Sequence, residues 1–208
     1  MKRHLPILAE RAVGHIKALQ IKTGHEHELQ MRLNEPFTSC RKGCASCCSH
    51  PFLITIAEGL ILYRWLHENK KWTPRVRREV EEARGQTLGL PFEIWLLSNI
   101  RCPILDAEGA CSAYEARPLR CRLTFSTGDP RQCRPNELGA QTPIVPYADT
   151  MVAFTRASLE ILQKANARSS LMPLAEAVLL AEAIETGKLD IRDTELQHVK
   201  DLMDGQPQ

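Results

Sequence analysis

The sequence has no long uncharged run, little surplus of either charge and none of the common phosphate-binding or nucleophile-bearing motifs. Each absence removes a class of function. No stretch approaches the roughly 20 apolar residues that a membrane-spanning helix needs. The apolar run LPILA at 5–9 ends at Glu10 and Arg11, too short for the core of a secretory signal despite Lys2 and Arg3 before it. The expectation is a soluble cytoplasmic protein with no membrane partner, whose thiols are kept reduced. A formal net charge of +2 with 25% charged residues demands neither a nucleic acid nor an anionic surface as partner. GxGxxG, GxxxxGK[ST], GxSxG and HExxH do not occur. That leaves no sequence signal for a dinucleotide or S-adenosylmethionine turn, a phosphate loop, a hydrolase elbow or a helical zinc protease.

What is present is mainly helical, and 208 residues suffice for one core with a helical extension. Residues 5–34 read as a helical stretch broken at Thr23 and Gly24. Thr55 and Glu58 form a capping box ahead of a helix with Ile56, Leu60 and Tyr63 on one face. Thr73 and Pro74 start another through REVEEAR, with Gly85 and Gly89 loosening its end. Met151, Phe154, Ser158, Ile161 and Ala165 mark a further helix, LMPLAEAVLLAEAIETGK a second, and 193–202 a shorter third. The stretch 101–146 is different: prolines and glycines punctuate it, no useful apolar period runs through it, and its order must come from elsewhere. The expected fold is mainly α, with a small irregular cysteine-rich metal-binding core flanked by helices.

All eight cysteines fall between residues 40 and 133, in two groups. The first, in CRKGCASCCSHP, holds Cys40, Cys44, Cys47 and Cys48; the second is Cys102, Cys111, Cys121 and Cys133. Disulfides fit poorly, because the chain exceeds the size that needs such staples and Cys44, Cys47 and Cys48 lie too close together to pair without strain. Scattered core cysteines would also populate the helical flanks, where there are none. Metal ligation remains. The Cys44–Cys47 spacing is that of a metal knuckle, with Gly43 relaxing the backbone before it. Adjacent side chains diverge, so Cys47 and Cys48 do not easily reach one ion at about 2.3 Å and point to two metals or a cluster. Four thiolates on a divalent ion leave an excess of about two negative charges. Arg41, Lys42, Arg101, Arg117, Arg120, Arg122, Arg131 and Arg134 interleave with the cysteines to offset it. Zinc and iron both suit all-thiolate sites, an iron–sulfur cluster included, and the spacing is not that of the common ferredoxins.

FTSCRKGCASCCSHPFLIT, then CPILDAEGACSAYEARPLRCR, then Cys133, resembles the YkgJ-type cysteine-cluster family of zinc- or iron-chelating domains, related to flagellin lysine N-methylases. The resemblance implies that the eight cysteines form the metal centre, with Tyr114, Arg117 and Pro118 of the YxxRP element packed around the ligands. It divides the chain into an N-terminal helical segment, 1–36, a cysteine-cluster chelating domain, 37–135, and a C-terminal helical segment, 136–208. Pro118 should keep Arg117 out of the helical region and turn the chain so that Cys121 returns toward Cys111. Arg117 should then face thiolate or carbonyl charge, and the Tyr114 hydroxyl a sulfur.

His50, two residues after Cys48, is read as a support for the ligands. His25 and His27 are read as exposed helix polars, since two positions apart on a helix they diverge. The basic run KKWTPRVRREVEEAR carries Trp72 but also Glu79, Glu81 and Glu82, which makes a solvated helix face the better reading than a nucleic-acid stripe. Three functions follow: a metal-binding protein with a metal ion as its defined partner and any protein partner open, a protein-modifying enzyme of the lysine N-methyltransferase type, or a zinc-stabilised nucleic-acid module.

Overall fold

A computed structural model of the protein describes residues 5–33, 43–126, 133 and 148–192. Among the described residues the chain runs α1 (Ile7–Leu33), β1 (Leu53–Thr55), α2 (Ile56–Glu68), α3 (Pro74–Thr87), α4 (Phe92–Ser98), α5 (Leu119–Leu123), α6 (Ala148–Lys164), β2 (Leu171–Pro173) and α7 (Leu174–Glu185). The fold is mainly α, with the cysteine-rich stretch in the middle of the chain.

Two similar strand–helix units make the centre of the core. β1 and β2 pair antiparallel, Leu53 opposite Pro173, Ile54 opposite Met172 and Thr55 opposite Leu171, and each strand runs directly into a helix. α2 begins as its sequence signals: the Thr55 hydroxyl accepts the Glu58 N–H at 3.3 Å, and the Glu58 carboxylate accepts the Thr55 N–H at 3.0 Å. Ile56, Leu60 and Tyr63 are buried, together with Val178, Leu180 and Ile184 of α7. The helices meet at Gly59 and Ala177, the fourth residue of each. A Cβ at position 59 would stand 2.6 Å from the Ala177 carbonyl oxygen, so only glycine admits this approach.

Side-chain charges fasten the other helices to this pair. Arg64 of α2 donates to both oxygens of Glu10 in α1, at 3.0 and 2.7 Å, and its Nε to Glu185 in α7 at 2.8 Å. Glu182 of α7 accepts from Trp72 Nε1 at 2.7 Å and from Arg77 Nε at 2.8 Å, which holds α3. Trp72 is thereby turned inward, its ring edge-on to Tyr63 at 5.4 Å. Arg75 pairs with Glu79 and Arg77 with Glu81 along α3. The run is thus only partly a solvated face: Arg75 and Arg77 pair along α3, while Trp72 and Arg77 also reach Glu182 and Arg84 is buried.

Several features differ from the sequence reading. α1 does not break at Gly24; it continues because Arg122 lies across this position, its Cδ 3.1 Å from where a Cβ would be. α3 continues through Gly85 and ends before Gly89, whose φ of +72 suits glycine. α4 was not expected, since its seven residues are too short to show a period. β1, β2 and α5 were hidden for the same reason, three to five residues being too few to show a period. The helix read at 193–202 lies outside the described residues.

Candidate metal centre

The first cysteine group sits on a tight loop. Gly43 takes φ +84, and a 3-10 turn at Ser46–Ser49 follows, with the Cys48 N–H donating to Ala45 O at 2.9 Å. That turn carries Cys47 and Cys48, which both line one cavity with the second group. Cys40 lies outside the described residues.

The second group is tied to the first through the backbone: the Cys102 N–H donates to Cys48 O at 2.8 Å. From Cys102 the chain makes a small hairpin closed by the Leu105–Cys111 bridge. Asp106 Oδ1 accepts the Ala110 N–H at 2.7 Å, and Gly109 takes φ +81 at the bend. This returns Cys111 toward Cys102. A 3-10 turn at Tyr114–Ala116 and an extended Arg117, φ −53 and ψ 134, then lead into α5, which carries Cys121.

Five residues do not make a stable helix by themselves, so α5 depends on its neighbours. Arg122 supplies one anchor: it crosses α1 at Gly24, pairs with Glu28 at 3.1 Å, and donates back to the carbonyls of Arg117 (3.2 Å) and Glu115. Gln20 of α1 donates to the same Arg117 carbonyl at 2.6 Å. On the opposite side the Leu119 N–H donates to Glu58 of α2 at 3.1 Å.

The result is a cavity of about 630 Å³ lined by Cys44, Cys47, Cys48, Cys102, Cys111 and Cys121, with Phe52, Trp95 and Phe125 among its apolar walls. The seven described cysteines are free thiols. The adjoining Cys48 thiol and then burial raise the Cys47 thiol well above its ordinary range. Burial, chiefly, pushes Cys102 up to about 12 and raises Cys111. Cys121 rises through burial and then through repulsion from Cys102, Cys47 and Cys111, while Arg117 opposes the shift. Four thiols from both groups thus lie in one another's field and stay protonated without a countercharge. Among the described residues no three cysteine, histidine or carboxylate side chains already stand at metal-ligand spacing. Half-buried soft donors gathered on one cavity fit zinc or iron, whose charge reverses the penalty on the thiolate form.

His50 directs Nε2 to the Cys133 carbonyl at 3.0 Å, which ties the last cysteine to the first loop; Cys133 itself is buried. Tyr114 is half exposed and lies under the Arg117 guanidinium, 3.6 Å from the ring centroid. Arg117 Nε donates to Tyr114 O at 3.2 Å. Among the described residues, no hydrogen bond joins either side chain to a sulfur. His27 is a correction. It is 4% exposed, packs on Phe125 at 5.4 Å and lines the cavity, whereas His25 is exposed. Gln20, Gly24 and His27 recur at i, i+4 and i+7, the inward face that the expected break at Gly24 concealed.

A helical scaffold that folds two cysteine groups onto one partly open cavity defines a cysteine-cluster metal-chelating protein. The chain belongs to the CxxCxxCC family, described as "Putative zinc- or iron-chelating domain", whose sequence model matches residues 39–143, half of the chain. The match takes in both cysteine groups and leaves α1, α6 and α7 outside; the first spacing here, Cys40 to Cys44, is one residue longer than the family's name. No curated protein and no solved structure matches the chain. Among the described residues no helix is long and apolar enough to cross a membrane.

Proposed function

We propose that Cys40, Cys44, Cys47, Cys48, Cys102, Cys111, Cys121 and Cys133 hold zinc or iron in a centre shared by the two groups, with an iron–sulfur cluster as one form. The observation that carries this is the single cavity lined by six thiols drawn from both groups and joined by the Cys102–Cys48 backbone bond. Bound metal would supply the charge that makes thiolates of buried thiols and would cross-link the two loops. Arg117 reaches this centre through its field, lowering the cost of ionising Cys111 and Cys121, while Tyr114 and Pro118 fix where that guanidinium stands. His50 holds the Cys133 end of the loop.

One experiment tests ligand and support together. Cys121→Ser is expected to lose most of the metal that co-purifies with the protein, and Arg117→Ala a part of it. Arg75→Ala, which removes an exposed cation paired only within α3, is expected to lose none. Full metal content in Cys121→Ser contradicts the shared centre, and full content in Arg117→Ala removes the arginine from it.

The cavity itself supports a second reading. Its volume of about 630 Å³ falls within the roughly 300–1,000 Å³ of small-molecule sites, and aromatic walls adjoin the thiols. That is room for a substrate or methyl donor beside the metal, as an enzyme of the lysine N-methyltransferase type requires. Binding of S-adenosylmethionine to the metal-loaded protein, measured by calorimetry, tests it; no heat of binding removes the reading.

A further inference from the structure

Glu58 caps the helix it belongs to, and it does something more. Its Oε2 accepts the Thr55 N–H and hydroxyl, both at 3.0 Å, while its Oε1 accepts the Leu119 N–H at 3.1 Å from 61 residues away. Leu119 is the first residue of α5, and the residue before it, Pro118, offers that helix no side-chain cap. Glu58 therefore accepts from the amino ends of two helices at once, and these bonds oppose the burial that raises its pKa. The carboxylate is buried at 5% exposure, with every recorded hydrogen bond going to Thr55 or Leu119. A buried acceptor with this geometry fixes its donors, because an unmade bond here is not replaced by water.

We infer that Glu58 is a positioning residue for the metal centre: by holding the first N–H of α5 it sets where Cys121 stands relative to Cys47, Cys102 and Cys111. This rests on Cys121 being a ligand, and it goes beyond that reading by placing control of the ligand in the core of α2. The link also explains why a capping glutamate should be buried here, when a capping box at a free helix end leaves its glutamate in solvent.

The test compares Glu58→Ala, Glu58→Gln and Thr55→Ala in the full chain, with cobalt(II) as the probe. Thr55→Ala removes the hydroxyl half of the cap and keeps both the Thr55 N–H bond and the Leu119 bond to Glu58, so it lowers stability without releasing α5. Two readouts are used: amide hydrogen exchange of 119–123 in the protein as purified, and, after chelation, cobalt affinity with the thiolate-to-cobalt absorption band. Glu58→Ala is expected to speed exchange across 119–123 at least ten-fold, leave α7 unchanged, weaken cobalt binding at least ten-fold and shift the band. Glu58→Gln, whose amide oxygen can still accept from Leu119, is expected to recover most of the affinity, and Thr55→Ala to melt lower with wild-type affinity and band. Wild-type affinity and band in Glu58→Ala overturn the positioning role, as does Thr55→Ala weakening cobalt as much as Glu58→Ala. Wild-type protein that takes up no cobalt, with exchange still responding to Glu58→Ala, contradicts the metal reading instead and reduces Glu58 to a cap of α5.

Discussion

Chelation of the purified protein is expected to open residues 101–126 to chymotrypsin while α2 and α7, which also carry leucine sites, remain resistant. The stretch offers cleavage after Leu105, Tyr114, Leu119, Leu123 and Phe125, and it has little regular structure of its own. Its longest regular element is the five-residue α5, far below the roughly 12–15 residues at which an isolated helix is even marginal. What holds it is the burial of Ile104, Leu119 and Leu123, a short list of long-range bonds to Cys48, Glu58, Gln20 and Glu28, and, on the proposed reading, the metal. Structural zinc in small thiolate domains contributes about 10 kcal/mol or more of folding free energy, several times what those few hydrogen bonds supply. α2 and α7 stand differently, because they bury Leu60, Leu62, Leu66 and Leu180 against each other and the core without any ligand. Limited proteolysis followed by mass spectrometry reads the order of cleavage. Simultaneous loss of all structure, or an unchanged pattern, would show that the metal does not order this stretch.

Gly59→Ala is expected to lower stability by about 3 kcal/mol, the upper part of the range for overpacking a tight core. The added methyl meets backbone, the Ala177 carbonyl at 2.6 Å, and backbone cannot rotate away as a side chain does. The helices must then separate where β1 and β2 also pair, so the strain spreads through the centre of the fold. For a domain of this size the melting temperature should fall by roughly 6–12 °C. Gly85→Ala is the control. That glycine lies inside α3 with nothing within 4 Å of its Cβ position, so alanine there should add roughly 0.5–1 kcal/mol. Thermal melts of the two variants should therefore move in opposite directions, and an unchanged melt in Gly59→Ala would mean that α2 and α7 are free to part.

Local signals explain what the sequence made legible. Thr55 with Glu58, and Thr73 with Pro74, are caps whose chemistry acts within four residues, and both helices start where those caps place them. The apolar period from Met151 to Ser158 marked α6 for the same reason. The two cysteine groups were recognisable by spacing alone. What was hidden depends on contacts distant in sequence. Gly24 looked like a break until Arg122 is seen to occupy the space it leaves, and His27 looked exposed because its face follows from that uninterrupted helix. Cys47 and Cys48 stand on a 3-10 turn that cysteine spacing alone did not announce. No spacing rule relates Glu58 to Leu119, since 61 residues separate the donor from its acceptor.

The central claim is that the cysteines chelate metal in a shared centre, and anaerobic purification followed by metal analysis and an optical spectrum of the same sample tests it most directly. The account predicts zinc or iron at about one equivalent or more. A colourless protein then contains zinc, and broad visible charge-transfer bands identify an iron–sulfur cluster. Metal-free protein whose eight cysteines show no titratable thiol would contradict it, because the thiols would then be paired with one another rather than held for a metal.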